Sequence, residues 1–228
     1  MFPFDSPLLG LLAGVGPTLA ALIVLLILQD QAGIRELFGS LLKWRASPGW
    51  FAFVFGFWIV VPAVALGIGA LLGGTPPALE KFPWGSLLPI FLMMLFSNVW
   101  EEIGWRGFAL PRLQERYGDL VIVFLMGALW SLWHLPLMLN PSSPMAGLPW
   151  AGELMYSLAL TVLYTWLYLH TAGSLLFVSL FHAVSNTAAF VLLEMGVYRS
   201  SYLAVVALTA VSAVSIVMVY GTRRFIRR

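Results

Sequence analysis

The chain has 228 residues, of which 61% are hydrophobic and 10% charged, with a formal net charge of +2 and no cysteine. A soluble domain carries about 25% charged residues, so this composition excludes an ordinary soluble enzyme and a disordered chain. The absent thiols exclude a disulfide-stapled fold and thiolate redox or metal sites, and the near-neutral balance leaves no electrostatic footprint for a nucleic-acid partner. What remains is a polytopic membrane protein whose surroundings are the lipid bilayer.

A helix needs roughly 20 apolar residues to cross a bilayer core. In chain order, runs of that kind place spans at 8–28, 50–72, 85–105, 120–139, 151–170, 173–195 and 201–221. The leader before the first run lacks Lys and Arg, so it reads as a retained helix and not as a cleaved signal. Between the first two spans, Asp30–Pro48 sets Leu37, Phe38, Leu41, Leu42 and Trp44 against charged residues, the pattern of a short interfacial segment. Gly73-Gly74-Thr75-Pro76-Pro77 closes the second span and Asn140-Pro141-Ser142-Ser143-Pro144 the fourth, while Thr171-Ala172-Gly173 splits one long run in two. Pro111 is expected to kink or break the helix that follows position 85, with Arg106–Tyr117 along the cytoplasmic interface. The fold class is therefore all-α, a bundle of about seven transmembrane helices.

Seven spans collect Arg35, Lys43, Arg45, Arg106, Arg112, Arg116, Arg223, Arg224, Arg227 and Arg228 on one side, against Lys81 and Arg199 on the other. Positive residues mark the cytoplasmic side, which puts the N-terminus outside and the C-terminus, with its basic tail, in the cytoplasm. The organisation reads as N-terminal helices and interfacial segment over 1–84, a core over 85–195, and a last helix with the basic tail over 196–228. Internal repeats, the usual mark of a transporter, are not visible.

An ionisable residue inside a span is costly and is a functional candidate by default. Glu101, Glu102, Arg106, His134 and His182 qualify, with the amides Asn98 and Asn186. Glu153, Glu194, Asp119 and His170 lie near span ends and read as interfacial or capping residues. Glu102 stands one helical turn before Arg106, the favourable order for an ion pair, which leaves Glu101 available as a base. His182 and Asn186 share a helix face and both donate hydrogen bonds. A turn near Gly118-Asp119 would make a hairpin that sets His134 opposite Glu101.

Three ordered motifs carry a resemblance: Glu-Glu-x-x-x-Arg at Glu101, Glu102 and Arg106, aromatic-x-x-x-His at Trp130 and His134, and His-x-x-x-Asn at His182 and Asn186. The chain resembles the CPBP intramembrane proteases, which include CAAX prenyl endopeptidases and bacterial Abi-type immunity proteins. Trp130 stands where that family more often has Phe. The resemblance implies a peptide-bond hydrolase with a membrane-embedded cavity open toward the cytoplasmic side. It implies Glu101 and His134 as the pair activating water, His182 and Asn186 as oxyanion donors, and Glu102–Arg106 as a structural ion pair. Glu101, His134 and His182 also supply three N/O ligands of the kind found in catalytic zinc sites, so the resemblance leaves a metal and a glutamate-driven mechanism both open. It implies a peptide or prenylated protein C-terminus as substrate; the oligomeric state is open. The competing classes are a non-catalytic immunity or scaffold protein of the same fold, and a small transporter whose carboxylates carry protons.

Overall fold

A computed structural model describes residues 7–221; the leader Met1–Asp5 and the basic residues Arg223, Arg224, Arg227 and Arg228 lie outside them. The described residues form α1 (Pro7–Ile27), α2 (Gln31–Gly39), α3 (Pro48–Leu71), α4 (Leu87–Glu102), α5 (Leu110–Gln114), α6 (Asp119–Leu139), α7 (Trp150–His170), α8 (Leu175–Glu194) and α9 (Tyr198–Tyr220), with no strand among them. The fold is all-α, as the apolar runs demand, because backbone polar groups in lipid must bond within their own segment. Four stretches, Pro48–Leu71, Asp119–Leu139, Leu175–Glu194 and Tyr198–Tyr220, are long and apolar enough to cross a membrane, as is the longer Trp84–Gln114. α7 matches them in length at 21 residues but carries more polar side chains, and α1 contributes the apolar Gly14–Ile27. The expected boundaries agree with the observed ones to within a few residues.

The surface is inverted relative to a soluble protein. Ile27, Leu71, Met218 and Val219 are exposed, whereas Ser157, Thr161, Thr165 and Ser179 are buried. That arrangement fits a bundle solvated by acyl chains, in which small and hydroxylated residues pack the helix contacts. α7 is largely enclosed, with Glu153, Ser157, Leu160, Thr161, Tyr164 and Thr165 all buried. Around it, Val54 and Trp58 of α3, Trp130 of α6, Leu163 and Tyr164 of α7 and Phe177 and Phe181 of α8 form the central apolar cluster.

The segment after the first span forms a short helix over Gln31–Gly39. Asp30 caps α2 by accepting from the Gly33 N–H at 2.8 Å, Leu37 is buried, and Leu42 and Trp44 stay exposed. The Lys43 ammonium donates to the Ala172 carbonyl and the Ser174 hydroxyl to the Lys43 carbonyl, which pins this segment to the α7–α8 turn. That turn is made by Ala172 at φ 55° and Gly173 at φ 72°, a left-handed pair that reverses the chain within a few residues.

One expectation needs correction. The helix from α4 does not break at Pro111. It widens over Ile103–Ala109 into a π-helical segment, in which the Leu110 N–H bonds the Trp105 carbonyl five residues back. Pro111 sits in the first turn of α5, where its missing N–H does no harm. Arg106 consequently does not reach the cytoplasmic interface; it is buried inside the bundle. Close packing with α1 holds the wide turn: a Cβ on Gly104 would lie 2.4 Å from the Pro17 carbonyl carbon, and the Thr18 hydroxyl donates to the Trp100 carbonyl.

Candidate active site

The π-helical segment and α8 build the first half of the site. Glu102 Oε1 accepts from Arg106 Nη1 at 3.0 Å and lies 2.9 Å from His182 Nδ1. All three residues are buried, Glu102 at 0% and Arg106 at 1% exposure. A buried ion pair offsets its desolvation only when its remaining groups find partners. Here the guanidinium lies 4.5 Å from the Trp130 ring centroid and 4.5 Å from that of Tyr164, a cation held between two π faces. Both aromatic rings also pack on His182, with centroids 5.4 Å away.

Four residues on, Asn186 Nδ2 donates to Asn98 Oδ1 at 3.2 Å, tying α8 to α4 one turn before the glutamates. An amide nitrogen has two hydrogens, so Asn186 keeps one to offer elsewhere. Glu101 is partly buried, and its Oε2 has no hydrogen-bond partner. The groups acting on its charge are His182, Glu102, the Trp130 side chain and Arg106.

His134 has a partner that the hairpin argument does not foresee. It makes no hydrogen bond or ion pair with Glu101; its Nδ1 lies 3.4 Å from Glu153 Oε1. Equal distance from a turn fixes depth along two helices but leaves rotation about their axes free, and the π-helical segment changes that rotation for everything beyond Glu102. His134 instead shares with His182 the flank of Trp130, whose ring centroid is 5.6 Å from its own.

Glu153 is therefore not an interfacial cap. It is buried in the first turn of α7, where Oε1 accepts from the Ser157 hydroxyl at 2.9 Å and Oε2 from the Tyr202 hydroxyl at 3.3 Å. A sequence signal existed: Glu153, Ser157, Thr161 and Thr165 recur every fourth residue, a polar stripe that a helix in lipid turns inward. Asp119 is likewise buried, while His170 and Glu194 remain at exposed helix ends.

A cavity of about 110 Å³ opens between α3, α6, α7, α8 and α9, with Trp130, His134, Glu153, Tyr164, His182 and Asn186 in its wall. Met145 from the α6–α7 connection and Tyr198 from the start of α9 also line it. It thus extends toward the end of the bundle that carries Lys81 and Arg199, the opposite end from the one the charge count assigns to the cytoplasm. The expected cytoplasmic opening and the expected orientation do not hold together.

Among the described residues, no three His, Asp or Glu side chains are grouped so that they could hold a metal ion. His134 and His182 turn their Nδ1 atoms to different carboxylates, and Glu101, His134 and His182 are not grouped as a three-ligand set.

Fold and site together define a multi-pass helical membrane protein with a buried acid, imidazole and amide centre. Over residues 83–188, somewhat less than half of its length, the chain matches the family model described as type II CAAX prenyl endopeptidase Rce1-like. The similarity extends to a curated relative, "CAAX prenyl protease 2" of Methanococcus maripaludis, at 31% identity over 107 residues, 44% of this chain and 40% of that protein. The aligned part thus spans less than half the length of that relative.

Proposed function

We propose that the chain is an intramembrane endopeptidase that hydrolyses a peptide bond with activated water. The observation that carries this reading is a buried, hydrogen-bond-free Glu101 oxygen on α4, the helix tied to α8, where the donors His182 and Asn186 stand one turn apart. Glu102 and Arg106 hold His182 through Nδ1, so its Nε2 is the ring atom left for a substrate, and Asn186 keeps a free N–H. Donors fixed before substrate arrives stabilise an oxyanion without reorganising.

In the proposed reaction Glu101 takes a proton from water, and the hydroxide adds to the scissile carbonyl carbon. Asn186 and the His182 ring donate to the resulting oxyanion. Collapse of the tetrahedral intermediate breaks the C–N bond, and the proton held by Glu101 passes to the leaving amine. His134, in the cavity wall, takes part in ordering the water, a role that a single bridging water serves without direct contact to Glu101. The matched family and relative support a peptide or prenylated protein C-terminus as the substrate.

The test is purified protein in detergent with fluorogenic peptides, prenylated and not, comparing wild type with Glu101→Ala and His134→Ala. Cleavage lost in both variants is expected, with a fall of at least about 100-fold, the scale of general acid–base catalysis. Equal cleavage by wild type and variants would defeat the proposal. Activity should survive a chelator; its loss, restored by added zinc, would replace the proposed water activation with a metal-assisted one.

A further inference from the structure

Glu153 belongs to none of the three motifs, yet it is as buried as the glutamate that holds His182. Its surroundings differ in one respect: among the described residues, no Lys or Arg comes within ion-pair distance of it. Two hydroxyls and one imidazole nitrogen are its partners. A buried carboxylate without a cation is expensive, and two features moderate the cost. The residue lies in the first turn of α7, where the helix dipole favours negative charge. Both of its oxygens accept hydrogen bonds.

If the carboxylate served only to join α7 to α9 through Tyr202, a neutral amide would do the same at lower cost. What an amide does less well is hold an imidazole in one tautomer. A carboxylate accepts only, so the nitrogen facing it must carry the proton. His134 presents Nδ1 to Glu153 at 3.4 Å, ion-pair range short of an aligned hydrogen bond. Catalytic contacts are commonly long before substrate binds. With Nδ1–H directed at Glu153, the lone pair of the ring sits on Nε2, on a residue that lines the cavity.

We propose that Glu153 is the positioning residue of His134, fixing its Nδ1–H tautomer and ring orientation so that Nε2 accepts a hydrogen bond from the reacting water. The catalytic part of this inference rests on the endopeptidase reading. The tautomer part does not.

The chain has three histidines, His134, His170 and His182, so ¹⁵N-histidine labelling yields three ring systems, assigned with His134→Gln and His170→Gln. In wild-type protein in nanodiscs, His134 is expected to show a protonated Nδ1 and an unprotonated Nε2. In Glu153→Leu the tautomer should shift toward Nε2–H, and in Glu153→Gln, which keeps an acceptor and the link to Tyr202, the shift should be partial. Unchanged His134 nitrogen shifts in both variants, or an Nε2–H ring in the wild type, would overturn the proposal. Should Glu153→Leu not fold, Glu153→Gln alone decides it.

Kinetics supply the second reading. Partners behind a functional group typically cost about 10- to 100-fold when lost. Glu153→Gln should lose about tenfold in kcat with KM unchanged, and Tyr202→Phe, which removes only the α9 link, should lose less than twofold. Equal losses in these two variants would reduce Glu153 to a packing role. A protein that cleaves no peptide but shows the predicted tautomer change would sink the endopeptidase reading and leave the Glu153–His134 placement standing.

Discussion

Two buried glutamate–histidine pairs flank Trp130, and they are built on different electrostatic plans. In the Glu102–His182 pair a guanidinium supplies the balancing charge and two aromatic faces enclose it. In the Glu153–His134 pair, hydroxyls and a helix N-terminus do that work, and the imidazole is 20% exposed to the cavity. Both imidazoles line the cavity; the first pair carries its own cation and the second does not. The contrast teaches that a like pair of residues is held more firmly where a third charge locks it than where none does.

The largest break in that contrast should come from Arg106→Ala. Removing one partner of a buried ion pair costs about 3–5 kcal/mol, enough to lower Tm in detergent by many degrees and to spoil monodisperse elution. Arg106→Lys, with equal charge but no planar fork, should fall between wild type and the alanine variant in the same melt. Glu102→Gln should cost about 1–3 kcal/mol, the range for a disturbed hydrogen bond to a charged group. Glu153→Gln should cost less than Glu102→Gln in parallel melts, because it strands no cation; the reverse order would erase the distinction between the pairs.

Gly104→Ala probes the ground on which the closed pair stands. A methyl group there would clash with the backbone and Cβ of Pro17, so α1 must move, at about 1–3 kcal/mol for overpacking. Trp130→Phe should have the smallest effect, about 0.5–1 kcal/mol from a weaker cation–π contact, since the ring face toward Arg106 survives. A loss as large as that of Arg106→Ala would mean that the indole N–H holds Glu101 in place.

Helix positions were legible because lipid leaves few alternatives: apolar runs of fixed length, punctuated by Gly73-Gly74 and Asn140-Pro141, can only be spans. The Glu102–Arg106 pair was legible too, since i,i+4 spacing brings charges together on any helix and on this wider one. What escaped was azimuth. The partner of His134 depended on how α6 and α7 are rotated against each other, and Gly127, where a Cβ would meet the Leu158 backbone at 2.9 Å, sets that contact through shape alone. Glu153 escaped for a related reason, being judged by its nearness to a span end and not by the polar stripe it begins.

The widened turn at Ile103–Ala109 also sets the phase of the helix that contains it. A continuous α-helix advances about 100° per residue, so absorbing extra chain in that turn offsets the faces of α4 and α5 from their regular relation. Deleting any one residue between Ile103 and Ala109 would restore ordinary backbone bonding and leave a helix of unremarkable stability. Its two ends would then be out of step: with Glu102 still against His182, Leu110 would swing out of its buried seat beside Ile122 and Met126. This helix is therefore tuned by residue count as much as by residue identity, and its length over those seven positions is itself part of the site.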